Sequence, residues 1–236
     1  MNSGATINTA RTALRQAAEP GRAPILQRFF KTGPGEYAEG DVFLGVTVPR
    51  IRKLVRRFED MPLPAVKRLL RSRIHEERLL ALLIMVRQYQ CGDENLRARV
   101  FHLYLDNLKW INNWDLVDVT AEHVIGAHLA NRDRRLLYEL AAAPGLWHRR
   151  VAVLATFHFI RRGDFADTLR LAARLLEDER DLIHKAVGWM LREVGNRDRA
   201  AEEAFLRKHL KRMPRTMLRY AIEKFPERQR QAYLRR

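Results

Sequence analysis

Apolar residues recur along this chain at the three- and four-residue spacing of a helix, and no stretch sustains the alternation of a half-buried strand. Phe165, Leu169, Ala172 and Leu176 fall at i, i+4, i+7 and i+11 and form one stripe. Asp164 stands before it where an N-cap belongs, and Gly163 interrupts the chain ahead of that. Pro49 and Pro64 suit first-turn positions, and Pro144-Gly145 and Gly195-Asn196 mark helix ends. The pattern predicts an all-α fold with helices near 6–18, 22–31, 49–59, 63–72, 75–90, 94–106, 114–129, 132–142, 147–161, 165–177, 181–194, 199–212 and 215–224, and a short one near 227–234. The longest gap, Thr32 to Val48, contains Gly33-Pro34-Gly35 and is long enough to be a functional loop.

The predicted helices pair, and the pairs repeat. Arg78-Leu79-Leu80-Ala81, Asp118-Val119-Thr120-Ala121, Arg150-Val151-Ala152-Val153, Lys185-Ala186-Val187-Gly188 and Arg219-Tyr220-Ala221-Ile222 each set a polar residue before a small-apolar stretch in the second helix of a pair. Successive members lie 40, 32, 35 and 34 residues apart. That period belongs to stacked helical hairpins such as HEAT units, which build a curved array with the second helices on its concave face. The expectation is one such domain over residues 1–236, with the first 20 residues the least defined part.

Composition narrows the partner. Apolar residues make up 47% of 236, enough for a core and too many for a disordered chain. Lys and Arg number 44 against 28 Asp and Glu, a net charge of +16, which suits a polyanion. Leu79 to Val86 is the longest apolar run, far short of a membrane span. Met1-Asn2-Ser3-Gly4-Ala5 lacks the features of a signal peptide. Cys91 is the only cysteine, so neither an internal disulfide nor a zinc cluster can form, and a reducing cytoplasm fits. A nucleoid-associated protein of bacterial type, without a membrane or an obligate protein partner, is the expectation.

Four of the five row members, Arg78, Arg150, Lys185 and Arg219, are cationic, the footprint expected beside a phosphate backbone. Arg50, Arg52, Lys53, Arg56 and Arg57 add charge on one early helix, and residues 205–236 hold eleven Lys or Arg against Glu223 and Glu227. Asp118 is the exception. Trp114 lies four residues before it, Trp147 three before Arg150, and Trp189 four after Lys185, so three tryptophans fall within a turn of row members. A carboxylate beside indole faces in a cationic groove can stabilise a developing positive charge and hold a water. That combination suits cleavage of a nucleoside C–N bond, whose transition state resembles an oxocarbenium sugar. A base already cationic through alkylation leaves without a proton, so one carboxylate could suffice. Asp118 could equally complement a helix N-terminus, as Asp115 does, or pair with Arg150, and Trp147 and Trp189 could be core residues.

Trp114-Asp115-Leu116-Val117-Asp118, Leu146-Trp147-His148-Arg149-Arg150 and Lys185-Ala186-Val187-Gly188-Trp189 resemble the AlkD family of DNA alkylation-repair glycosylases. Gly35-Glu36-Tyr37-Ala38-Glu39-Gly40-Asp41, Phe43-Leu44-Gly45-Val46 and Met213-Pro214-Arg215 share the likeness, which runs from about residue 22 to about 233. The resemblance implies HEAT-like repeats holding duplex DNA, and hydrolysis of the N-glycosidic bond of cationic N3- and N7-alkylated purines to leave an abasic site, the first step of base excision repair. It implies catalytic roles for Asp118, Trp114 and Trp189, an arginine of the site in Arg150, and cleavage without drawing the lesion into a base pocket. Arg78, Arg149, Lys185, Arg215 and Arg219 complete the expected DNA-binding set; no metal or cofactor is called for.

Two other readings stay open. A helical-repeat scaffold could bind duplex or branched DNA without chemistry, but it would not require the quartet Trp114, Asp118, Arg150 and Trp189. An RNA- or protein-binding solenoid would vary the row with Asn, Gln and Ser, which this row does not. His123 and His128 are five apart, His75-Glu76 has no second His at the metalloprotease spacing, and neither a Walker loop nor a Rossmann fingerprint occurs.

Overall fold

The structure, a computed structural model, describes residues 6–235. Among them helix follows helix, and the one β contact is an isolated parallel bridge between Val42 and Ile74. The chain divides into two compact units, one ending at Val124 and the other beginning at Ile125.

The first unit contains α1 (Ile7–Ala17), α2 (Ala23–Phe29), α3 (Val48–Phe58), α4 (Leu63–Leu70), α5 (His75–Cys91), α6 (Glu94–Leu105) and α7 (Trp114–Asp118). Helix α5 is its hub and packs against α1, α3, α4, α6 and α7. Seven of the eight residues in the apolar run Leu79–Val86 are buried, so α5 has no solvent face over two turns and serves as a core helix. No helix among the described residues is long and apolar enough to cross a membrane.

The long loop after α2 is tied to the start of α5. Val42 N–H donates to the Arg73 carbonyl (3.1 Å) and His75 N–H to the Val42 carbonyl (2.8 Å). The buried Glu76 carboxylate accepts from the backbone N–H groups of Leu44, Gly45 and Val46 at 2.8–3.2 Å. Gly45 makes the turn possible: its φ is +89°, and a Cβ there would sit 2.3 Å from the Glu19 carbonyl oxygen. Glu77, also buried, is paired with Arg11 of α1 at 3.0 Å.

The second unit contains α8 (Arg135–Ala142), α9 (Leu146–Ala155), α10 (Phe157–Ile160), α11 (Ala166–Arg174), α12 (Asp181–Gly195), α13 (Arg199–His209), α14 (Arg215–Ala221) and α15 (Glu227–Leu234). First helices pack on second helices, α8 on α9, α11 on α12 and α13 on α12, while α9, α12 and α14 pack side by side in that order. Gly188 brings α12 close to α14, since a Cβ there would meet the Met217 carbonyl oxygen at 2.4 Å.

Two predicted helices are broken. The span 114–129 ends as α-helix at Asp118, followed by a turn and a single π-helical segment, Glu122–Gly126. The span 147–161 divides at Thr156 into α9 and α10. Each break holds a buried threonine that bonds back to the helix: Thr120 Oγ1 donates to the Leu116 carbonyl (2.6 Å) and Thr156 Oγ1 to that of Val153 (2.7 Å). Such bonds compete with the backbone ladder and bend it. Of the expected stripe over 165–176, Ala172 and Leu176 are buried and Phe165 and Leu169 half-buried, with Thr168, Leu171 and Leu175 buried beside them.

Glu202 of α13 is 1% exposed, and its Oε1 has no hydrogen-bond partner. Burial pushes its carboxyl from an ordinary 4.5 up to about 8, with Glu203 adding to the effect and Arg199 and Arg192 opposing it. Between those pH values the folded protein keeps a proton that the unfolded chain has released, so stability falls as pH rises. Glu202→Gln should therefore match the wild type near pH 4.5 and exceed it by about 2 kcal/mol or more at pH 8 in urea unfolding. A constant difference between the two proteins across that range would show that Glu202 does not titrate this way.

Candidate active site

A cavity of about 460 Å³ opens in the first unit among α2, the loop after it, α3, α5 and α7. Its aromatic wall is one contiguous stack. Phe30 lies parallel to Phe43 (5.1 Å between centroids) and to Trp114 (5.2 Å), and Phe29 meets Trp114 edge-on at 5.9 Å. Ile51 and Leu79 line it from the core side. Phe29 (62% exposed), with Ile25 of the same helix (59%) nearby, leaves apolar surface open to solvent. Asp118, half-buried at the last position of α7, lines the same cavity as Trp114 at the first position.

Three features hold α7 in place. The Asn113 side-chain oxygen caps it by accepting from Trp114 N–H (2.8 Å), and Leu116 and Val117 are fully buried. Asp115, in the first turn, accepts from Leu116 N–H through Oδ1 and faces His75 Nε2 through Oδ2 (2.8 Å). Below Asp118 lies the buried phenol of Tyr104, whose hydroxyl meets Thr120 Oγ1 at 2.9 Å. Burial pushes that phenol well above its ordinary value and the negative charge of Asp118 adds to the rise, against the Thr120 bond.

Behind the aromatic stack sits a buried ionic cluster. Arg78 Nη2 donates to Asp41 Oδ2, Arg78 Nη1 donates to the Ser72 carbonyl (3.0 Å), and His75 Nδ1 lies 3.5 Å from Asp41 Oδ2. Burial opposes the charge on Asp41, but His75 and Arg78 outweigh it and hold the carboxyl below the usual carboxylate range. Arg78 was expected on a DNA-facing row. It is 1% exposed and its guanidinium closes this cluster, so no phosphate can reach it.

The remaining predicted residues belong to the second unit. Arg150 of α9 is 5% exposed, and its Nη1 donates to the Leu182 carbonyl. Arg149 pairs with Asp178 (2.6 Å) and donates to the carbonyls of Ala143 and Pro144, so its guanidinium ties the α8–α9 turn rather than facing solvent. On α12, Lys185 is half-buried beside Asp181 (2.7 Å), and Trp189 packs edge-on to Phe157 (6.0 Å) with Nε1–H donating to Glu193 (3.3 Å). Arg215 and Arg219 of α14 are exposed, and Arg215 donates to the Leu234 carbonyl (3.0 Å). The quartet is thus distributed as two pairs, Trp114 with Asp118 in one unit and Arg150 with Trp189 in the other. On α3, Arg50, Arg52, Lys53, Arg56 and Arg57 are all exposed, and Arg50 is paired with Glu19 (2.7 Å).

Sequence reasoning missed Phe29, Phe30, Phe43, His75 and Asp41. The first three come together only through the loop after α2, and no periodicity links them. Among the described residues no group of His, Cys, Asp and Glu is arranged to hold a metal ion. A second cavity of about 450 Å³, beside Met61, Gln88 and the exposed Cys91 at the end of α5, contains none of the expected site residues.

The model of a family described as DNA alkylation repair enzyme matches residues 10–225. No curated protein matches the chain. A solved structure titled "Predicted DNA alkylation repair enzyme from Enterococcus faecalis" superposes with a TM-score of 0.66 at 16% identity, over 89% of this chain and 97% of that one. At that identity the likeness shows a shared fold.

Asp41→Ala removes the only carboxylate bonded to the Arg78 guanidinium among the described residues, leaving a buried cation without its partner. The variant should lose about 3–5 kcal/mol in urea unfolding. Arg50→Ala, which removes an exposed ion pair, should lose about 1 kcal/mol or less. Equal losses would show that the buried cluster contributes no more than a surface pair.

Proposed function

Because the chain belongs to the DNA alkylation repair enzyme family, matched over residues 10–225, we propose that it is a DNA glycosylase acting on cationic N3- and N7-alkylated purines in duplex DNA. The observation that carries this reading is the meeting of Asp118 and Trp114 on one aromatic-walled cavity, in a chain of net charge +16. An alkylated purine already carries a positive charge, so its bond to C1′ breaks with the electron pair returning to the ring nitrogen, and no acid is needed. Positive charge moves to the sugar as the bond lengthens. The Asp118 carboxylate opposes that charge by Coulomb attraction, and the Trp114 ring face adds its quadrupole. Water then adds at C1′ and gives up a proton to Asp118, the half-buried carboxylate of this wall, since Glu76 and Asp115 are buried and engaged. The products are the neutral free base and an abasic site, with no cofactor consumed.

Duplex binding is assigned chiefly to the second unit. Its α8–α9 and α11–α12 pairs, followed by α13 and α14 packed on α12, are read as HEAT-like repeats, with exposed Arg215 and Arg219 and half-buried Lys185 reaching phosphates. Trp189 is proposed to contact the DNA backbone from the second unit, with Arg150 as a charge held from within its helix packing. Arg78, 1% exposed, is left out of the DNA-binding set, whereas Arg149 on Asp178 and Arg150 on the Leu182 carbonyl would reach a phosphate by exchanging those partners.

With duplex containing N7-methylguanine, Asp118→Asn should slow base release about a hundredfold while binding and folding stay near wild type. Unchanged release would remove Asp118 from the mechanism. Tight, salt-sensitive duplex binding with no release by the wild type would favour the noncatalytic DNA-binding scaffold instead. Separately, Arg219→Ala should lower the slope of log affinity against log salt by about 1 and weaken all duplexes alike. An unaltered slope would place Arg219 away from phosphates.

A further inference from the structure

The chemistry above makes no use of His75, yet this side chain lines the reactive cavity while only 2% exposed. Both of its ring nitrogens face carboxylates, Nε2 at 2.8 Å from Asp115 Oδ2 and Nδ1 at 3.5 Å from Asp41 Oδ2. A neutral imidazole has one N–H and can serve one of them; an imidazolium serves both. The ring stacks on Phe43 (4.4 Å) and tilts against Phe30 (5.1 Å), which in turn stacks on Trp114. These aromatic faces favour a cation between them.

The charged groups around the ring come from three segments. Asp41 belongs to the loop after α2, Arg78 to α5 itself with Nη2 3.5 Å from Nδ1, and Asp115 to α7. Glu76 and Asp118 line the same cavity, and the Glu76 carboxylate is occupied by backbone N–H groups. Burial works against the imidazolium and Arg78 repels it. The charge and hydrogen bond of Asp115, together with Asp41, outweigh both and raise the pKa above its ordinary 6.5.

Helix α7 is five residues long and cannot hold its own geometry. Beside the burial of Leu116 and Val117, a polar tie from Asp115 to His75 joins it to α5, and it carries Trp114 and Asp118 at its two ends. We propose that the positive charge on His75 fixes α7, and with it Trp114 and Asp118, making His75 a positioning residue for the reaction. The catalytic consequence rests on the glycosylase reading; the positioning does not.

A raised pKa means that the stabilising contribution is complete below 6.5 and is lost as pH rises through the folded value. The neutral ring keeps Nε2–H on Asp115 but loses the ion-pair attraction, so α7 is held less tightly and base release should fall over the same interval. Two readouts on the full chain test this. The first is the indole Nε1–H resonance of Trp114, assigned by its loss in Trp114→Phe and followed against pH. The second is the single-turnover rate on duplex containing N7-methylguanine at saturating protein.

The Trp114 resonance should titrate with a midpoint above 6.5 in the wild type, not titrate there in His75→Gln, and shift its midpoint downward in Asp115→Asn. The wild-type rate should drop about tenfold through the same midpoint. In His75→Gln it should be low and flat across that range, with binding of the methylated duplex within about threefold of wild type. A Trp114 resonance that ignores pH, or titrates alike in His75→Gln, overturns the proposal. So does a His75→Gln or Asp115→Asn protein that keeps both the wild-type rate and its alkaline fall. Loss of rate and binding in parallel in Asp115→Asn would make the contact merely structural and overturns it too. Normal titration of Trp114 without base release at any pH supports the positioning and defeats the glycosylase reading.

Discussion

His75, Glu76, Glu77 and Arg78 are four consecutive polar side chains buried at the first turns of α5, and burial requires each to find a partner. Each finds a different one. His75 takes Asp115 and so α7, Glu76 takes three backbone N–H groups of the loop after α2, Glu77 takes Arg11 of α1, and Arg78 takes Asp41. Because α5 is apolar on all sides further along, its packing alone does not determine which segment meets which at its start. The polar turn supplies that choice through directional bonds, and removing a partner leaves a buried polar side chain of α5 unsatisfied. The cavity with Trp114 and Asp118 on its wall is built on this junction.

The two units contribute different things. The first supplies an apolar, aromatic cavity whose one half-buried carboxylate is Asp118, the other two on its lining, Glu76 and Asp115, being buried. The second supplies helices in a regular row, whose exposed arginines at α14 suit a phosphate backbone better than any compact ligand. A single carboxylate would be weak equipment for a neutral leaving group. It is adequate for a cationic base, where bond breaking itself disposes of the charge on the ring and only the sugar needs stabilising.

Much of this was legible in the sequence, and the misses have physical causes. Helix positions followed from the 3.6-residue period, and failed where Thr120 and Thr156 bonded back to the helix, which periodicity reads straight through. Trp114 and Asp118 were readable together because four residues is one helical turn, and even the short α7 preserves that spacing. Arg78 was misread as a surface cation. The adjoining apolar run Leu79–Val86 was a hint but not a sufficient one, since Arg87 at its other end is exposed; only the tertiary partner Asp41 accounts for the burial of Arg78. His75 was weighed only as a metal ligand, since Asp41 and Asp115 stand 34 and 40 residues away and only tertiary structure brings them near.

In the proposed reaction, repair proceeds by cutting the bond between base and sugar. The most direct measurement follows the fate of an isotopic label in the methyl group of N7-methylguanine within duplex DNA treated with this protein. The account predicts that the label leaves as intact free N7-methylguanine, with one abasic site formed for each base released. Label found on the protein or in a one-carbon product, with the guanine still in the DNA, would contradict it.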